Sequence, residues 1–263
     1  MIRDFAFLVF AAGLVSSMTG FAQSPTTSSH PDVIEFRIDT DVYLNESRPP
    51  IASTKTLFLK DRIIDWDDAS RRMMCIDLAT QQIELADFAS QRRCRIDRVD
   101  LETRLGQLRS QLTPDQLRAW SSPSGPAPDG PGYEMLQSSM LRYRFKSIEP
   151  RHPQMAMAYA EFANCSVELN AVHPPFKPPL LRLQLNDYLR DQNRLPTEVQ
   201  LIDVRSTASD PLVARLLVQE SLTKQDRERV KDWEVLVATL KMVSADEYFQ
   251  SQRVASEGTA TKK

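Results

Sequence analysis

From residue 34 the chain alternates: Ile34, Phe36, Ile38, Thr40 and Val42 interleave with Glu35, Arg37, Asp39 and Asp41. A period of two places the first set on one side of an extended strand and the charged set on the other. Such a segment is stable only as part of a sheet with one dry and one wet face. The same reading gives strands at Thr54 to Leu59 and Arg62 to Trp66, with Lys60-Asp61 as the turn between them. It gives further strands at Arg72 to Leu78 and Gln82 to Asp87 around Ala79-Thr80-Gln81, and a sixth at Arg92 to Asp97. Short strands joined by short loops form an antiparallel meander, because a parallel crossover needs a dozen or more residues. No internal repeat is seen.

The period then changes. Leu101, Leu105, Leu108 and Leu112 recur at four, three and four, a helical stripe. Thr113-Pro114-Asp115-Gln116 restarts a helix with a cap, a first-turn proline and a glutamine placed to close a capping box. Residues 121–132 are rich in Ser, Pro and Gly, and read as a surface loop inside one domain, with a domain linker as the alternative. Leu141, Tyr143 and Phe145 alternate with Arg142, Arg144 and Lys146 as another half-wet strand. Helices are expected from Pro153 to about Val172, around Leu181, Leu185, Tyr188 and Leu189, and after Thr223 along Val230, Trp233, Val237 and Leu240. Val199 to Arg205 and Val213 to Leu222 form a closing strand pair, and Ser244 with Glu247 caps a last short helix. The fold class is therefore α+β: a large curved antiparallel sheet covered on one face by amphipathic helices. One domain is expected over 33–250, followed by a disordered tail at 251–263.

Residues 1–22 read as a signal peptide. Arg3 precedes an apolar run from Phe5 to Val15, and Gly20 and Ala22 fit a cleavage site. The run is about 11 residues, short of the roughly 20 that a membrane span needs. Residues 23–32 follow as a mobile leader. The product is expected to be exported, periplasmic or extracellular, and not membrane-spanning.

Several chemistries are excluded. The net charge of −2 argues against nucleic acid as a partner. Only seven glycines are present, and of these Gly106 alone falls within the folded body outside the 121–132 loop. That leaves no phosphate loop, dinucleotide fingerprint or nucleophile elbow. His30, His152 and His173 are not at metal-ligand spacing. Asp65, Asp67 and Asp68 raise a calcium site, but lack the glycine and terminal glutamate of an EF-hand loop, and a polar strand end is the plainer reading. Arg92, Arg93, Arg95 and Arg98, with Arg71-Arg72 nearby, could meet an anionic surface; Asp87, Asp97 and Asp100 argue instead for local pairing. Asn45-Glu46-Ser47 and Asn164-Cys165-Ser166 match the glycosylation acceptor, which matters only in a eukaryotic route. Cys75 and Cys94 fall on strands separated by a third, about 9.6 Å apart and too far for a disulfide. Three buried thiols, or one pair involving Cys165, are expected.

Pro174-Pro175-Phe176, Leu181-Arg182-Leu183-Gln184-Leu185-Asn186, Leu195-Pro196-Thr197-Glu198-Val199, and Val243-Ser244 with Glu247-Tyr248 follow one another in an order that resembles a group of exported proteins of unknown function from planctomycete-type bacteria. The Leu57-Phe58 and Cys75-Ile76-Asp77-Leu78 hairpins fit the same pattern, so the likeness spans most of 33 to 250. The resemblance implies export and brings no activity or site residue. A meander followed by helices and closing strands is also similar in architecture to periplasmic lipoprotein-carrier half-barrels, which shelter an acyl chain.

No catalytic, cofactor-binding or metal residue is assigned and no cofactor is expected. The reading favours a non-enzymatic exported protein that binds a hydrophobic ligand or a cell-envelope partner. Phe36, Phe58, Ile64, Met74 and Phe145 would line a cavity if the sheet wraps one, and are ordinary core if it does not. The alternatives are an envelope hydrolase using Asp and Glu, or a purely structural or interaction module.

Overall fold

A computed structural model describes residues 34–44, 48–171, 178–206 and 210–250. The expected signal peptide, leader and tail, the Asn45-Glu46-Ser47 acceptor, His30, His173 and Pro174-Pro175-Phe176 lie outside the described residues. The meander comes first: β1 (Phe36–Tyr43), β2 (Ala52–Phe58), β3 (Arg62–Asp67), β4 (Arg72–Asp77), β5 (Gln82–Asp87) and β6 (Arg92–Asp97). Two helices follow, α1 (Arg98–Ser110) and α2 (Pro114–Trp120), then β7 (Ala127–Pro128), β8 (Glu134–Gln137) and β9 (Leu141–Ile148). The chain ends with α3 (Pro153–Ala171), α4 (Leu180–Asp191), β10 (Leu195–Asp203), β11 (Leu212–Gln219), α5 (Lys224–Ala238) and β12 (Lys241–Met242), and residues 245–250 are helical. No helix among the described residues is long and apolar enough to cross a membrane.

All twelve strands join one open sheet in the order β12-β6-β5-β4-β3-β2-β1-β11-β10-β9-β8-β7, antiparallel except where β12 meets β6. The closing pair inserts β11 beside β1, so the N-terminal meander and the C-terminal strands share one surface. The 121–132 stretch carries β7 and is tied down at Ser122, whose amide donates to Gln184 Oε1 at 2.8 Å. Pro196 lies within β10, where a register shift against β9 accommodates the missing amide hydrogen.

The alternation does what it predicts on the first face. Phe36, Ile38, Phe58, Ile63, Met74, Ile76, Ile83 and Leu85 form one core with Leu136, Tyr143, Phe145, Val199 and Ala214, filled by α3 and α4. Helical cover is not confined to that face. Leu57, Ile64, Met73 and Ala86 point the other way and are sealed by Val230, Trp233 and Val237 of α5 and by Leu240 just after it. The sequence carries the reason as apolar doublets, Leu57-Phe58, Ile63-Ile64, Met73-Met74 and Leu85-Ala86, which bury both sides of a strand.

The meander is also a repeat, which corrects the reading of the sequence. Asp67-Asp68-Ala69-Ser70-Arg71-Arg72, Asp77-Leu78-Ala79-Thr80-Gln81-Gln82 and Asp87-Phe88-Ala89-Ser90-Gln91-Arg92 are the same hairpin loop every ten residues. In each, the aspartate Oδ1 accepts from the amides two and three residues on, at 2.9 and 3.2 Å, 2.9 and 2.8 Å, and 2.9 and 3.0 Å. The fifth residue is left-handed in all three, with φ of 55° at Arg71 and 56° at Gln81 and Gln91. Glycine is the usual occupant of that position. Its absence hides the repeat, and Gln81 and Gln91 offset the cost by donating Nε2 to Leu78 O and Phe88 O at 2.9 and 2.7 Å.

Candidate functional site

The structure separates the residues expected to line a cavity. Phe36, Phe58, Met74 and Phe145 are all at most 2% exposed in the first core. Phe36 stacks on Phe58 at 4.1 Å, Phe58 meets Phe162 of α3 edge-on, and Phe145 meets Tyr188 of α4 at 6.1 Å. Ile64 is not among them: it faces α5 on the opposite side of the sheet. Helix side chains fill the space against these rings. Arg182 of α4 is buried there too, donating Nη2 to the Tyr159 hydroxyl at 3.1 Å and lying over the Tyr143 ring.

The acidic triplet diverges. Asp65 accepts from Thr56 Oγ1 at 2.7 Å, and burial pushes its carboxyl up to about 6 against the pull of the threonine hydroxyls. Asp67 holds the turn amides, and Asp68 lies 3.7 Å from Lys55. No group of His, Cys, Asp and Glu among the described residues is arranged to hold a metal. The arginine cluster is paired locally, though mostly with other acids than the neighbours in sequence. Arg93 and Arg95 share Glu84 at 2.8 and 3.4 Å, Arg92 faces Glu247 at 3.7 Å, and Arg98 joins Glu102 and Glu161. Asp87 takes Arg72 instead, and Asp97 caps α1. All three cysteines are free thiols; burial raises Cys75 and Cys94 to about 12 and moves Cys165 upward as well.

The feature that the sequence does not place is a bare sheet face. α5 covers β2–β5 on the second face, and Asp226 near its start holds Arg37 of β1 at 2.9 Å. Beyond that contact and the neighbouring Arg227–Glu35 ion pair of the same helix, neither hydrophobic core of the described residues brings a helix onto the second face of β1, β11, β10, β9 and β8. Cross-strand register sets out what it presents. Met135, Arg144, Gln200, Val213 and Tyr43 form one row across five strands, with Val213 itself buried at 1% exposure. Lys146, Glu198, Arg215 and Asp41 form the next. Leu217 follows Arg215 on the same face and is 59% exposed. Tyr133 lies flat against this surface: Arg144 sits 3.5 Å and Lys146 4.2 Å from its ring centre, and its hydroxyl donates to Glu198 at 2.8 Å. Arg215 lies over Tyr43 at 5.3 Å.

At the β8 end, Arg142 Nε donates to Gln137 Oε1 at 2.8 Å. There the face meets a groove of about 560 Å³ at the rim, lined by the 121–127 loop, Arg118, Met135 and Gln137–Ser139. Period two marks Arg142, Arg144 and Lys146 as wet, but only the placement of β11 between β1 and β10 gathers Tyr43 and Arg215 beside them.

No family model and no curated protein matches the chain. Among solved structures, that of PNGF-II in the C2 space group aligns over 80% of this chain and 31% of that one, at 6% identity and a TM-score of 0.33. A likeness at that level carries no argument about function.

Proposed function

We propose that this is an exported, non-enzymatic binding protein that docks an envelope partner on the bare half of its sheet. The N-terminal apolar run supports export. The carrying observation is the asymmetry of the second face: α5 seals β2–β5, while β1 and β8–β11 present Tyr43, Tyr133, Arg144, Arg215 and Leu217 outward. Tyrosine and arginine are the residue types enriched in protein interfaces and in their energetic centres. The rings that a hydrophobic ligand would need are packed against α3 and α4, which favours the partner over the ligand.

The test is site-specific photo-crosslinking in envelope extract, with the crosslinker at Leu217 on the bare face or at Val99, which is 66% exposed on α1. One partner crosslinked from Leu217, absent from Val99 and lost on Arg215→Glu is the expected result. Equal yields from both positions would reject the docking face. Native mass spectrometry of the exported chain gives the second check: solvent-extractable, lipid-like extra mass would return the reading to a hydrophobic-ligand carrier.

A further inference from the structure

The geometry points to an acidic, extended segment of the partner protein lying along β9, an inference that rests on the bare face being the docking face. Arg142, Arg144 and Lys146 occupy alternate positions of β9, so their side chains leave one face about 6.8 Å apart. The stripe is not neutralised from within. Arg144 has Asp129 at 2.7 Å. Arg142 has only the Gln137 amide oxygen, and Lys146 only the Tyr133 ring, with no carboxylate of the described residues in ion-pair reach of either. Glu198 stands directly across from Lys146 in the register. Its Oε1 is taken by the Tyr133 hydroxyl at 2.8 Å and the Gln200 amide at 2.7 Å, and its Oε2 faces Arg215 at 3.8 Å. Two positive charges are left over on β9 of a chain whose net charge is −2.

Tyr133 also preorganises the site. One ring braces both Arg144 and Lys146, which lowers the side-chain entropy lost when an anion arrives. An extended acidic segment repeats its carboxylates at the spacing of the stripe, so those at alternate residues meet Arg142 and Lys146 together. Beyond Arg142 the segment would run into the rim groove beside Gln137. A bilayer surface fits less well, because a continuous anionic plane would meet Asp129 and Glu198 beside the stripe, whereas a single extended chain can follow Arg142 and Lys146 along β9 alone.

The experiment uses the full exported chain and a fluorescein-labelled polyglutamate peptide of about ten residues, followed by anisotropy. Binding should weaken about tenfold or more between about 50 and 200 mM salt. The double variant Arg142→Glu, Lys146→Glu should lose at least as much, while Arg95→Glu on β6, with seven strands between it and β9 in the sheet, should bind as the parent does. Circular dichroism on each variant separates lost binding from lost fold. An absent signal, or binding indifferent to the β9 charges, overturns the inference. Flotation with vesicles of phosphatidylglycerol and phosphatidylcholine is the competing arm: β9-dependent capture by vesicles without capture of the peptide overturns it in favour of headgroups. If Leu217 still crosslinks one partner while the peptide fails, the docking face stands and only the acidic segment falls.

Discussion

Trp233 of α5 stacks on Trp66 of β3, with ring centres 5.0 Å apart and planes 26° from parallel. Phe88 meets Trp66 edge-on at 5.1 Å, so three aromatic rings close the second core over Leu57, Ile64 and Met73. This contact decides where the second face is sealed and where it stays bare. Trp233→Ala leaves a cavity that α5 cannot fill and should cost about 3–5 kcal/mol. Urea unfolding followed by far-ultraviolet circular dichroism measures it. A loss under about 1 kcal/mol would mean that α5 is an accessory and not part of the core.

The contrast between the two cores shows how far the sequence reaches. Phe36 and Ile38 stand alone among polar neighbours, so their alternation fixes the face on which they are buried. Ile63-Ile64 and Met73-Met74 are doublets, and periodicity cannot say which member faces which helix; the pairing of Ile63 with Ile76 and Phe58 settles it. Periodicity alone therefore groups Ile64 with Phe36 and Phe58, although it packs in the second core. The ten-residue repeat was present as aspartates at 67, 77, 87 and 97, but non-glycine residues at the left-handed positions masked the turn signal. The bare face was legible strand by strand at Arg142, Arg144 and Lys146. Its full extent depends on β11 returning to pair with β1, a long-range choice that no local pattern encodes.

Arg71 tests the repeat. Its φ of 55° matches that of Gln81 and Gln91, but it lacks their side-chain bond back to the loop carbonyl. Left-handed geometry costs a non-glycine residue about 1–2 kcal/mol, and glycine removes this at some cost in chain entropy. Arg71→Gly should therefore stabilise the protein by about 0.5–1 kcal/mol, and Gln91→Gly by less, since it also loses a hydrogen bond. Paired urea midpoints read the order of the two variants; a larger gain at Gln91 would show that its amide bond offsets nothing.

Asp226 is the N3 residue of the α5 capping box. It accepts from the Thr223 amide at 2.9 Å and from Arg37 at 2.9 and 3.1 Å. Burial pulls its carboxyl up, but Thr223 and Arg37 together outweigh this and hold it below its ordinary 3.8. A depressed carboxyl contributes stability that is present above its unfolded value and lost as the pH falls through the folded one. Asp226→Asn should thus lower the melting temperature at pH 7, with the gap to the parent shrinking as the pH drops below about 4. A gap that stays constant across that range would mean that the charge of Asp226 contributes nothing beyond its shape.

Glu168 carries the opposite sign. It lies on α3 against α1, and its Oε2 is buried without a hydrogen-bond partner among the described residues. Burial raises its carboxyl from 4.5 to about 7, Arg98 pulling it down and Glu102 adding to the rise. Arg98 is already engaged by Glu102 and Glu161, which leaves it little to offer a third carboxylate. The protonated form suits the folded state, so its contribution is intact below 4.5 and is lost as the pH rises through about 7. Glu168→Gln makes the neutral form permanent. It should match the parent at pH 4 and exceed it at pH 8, by at least the roughly 2–4 °C that 1 kcal/mol gives a domain of this size. Thermal unfolding at the two pH values decides it: a variant less stable than the parent at pH 8 would mean that the Glu168 charge is held by Arg98 after all.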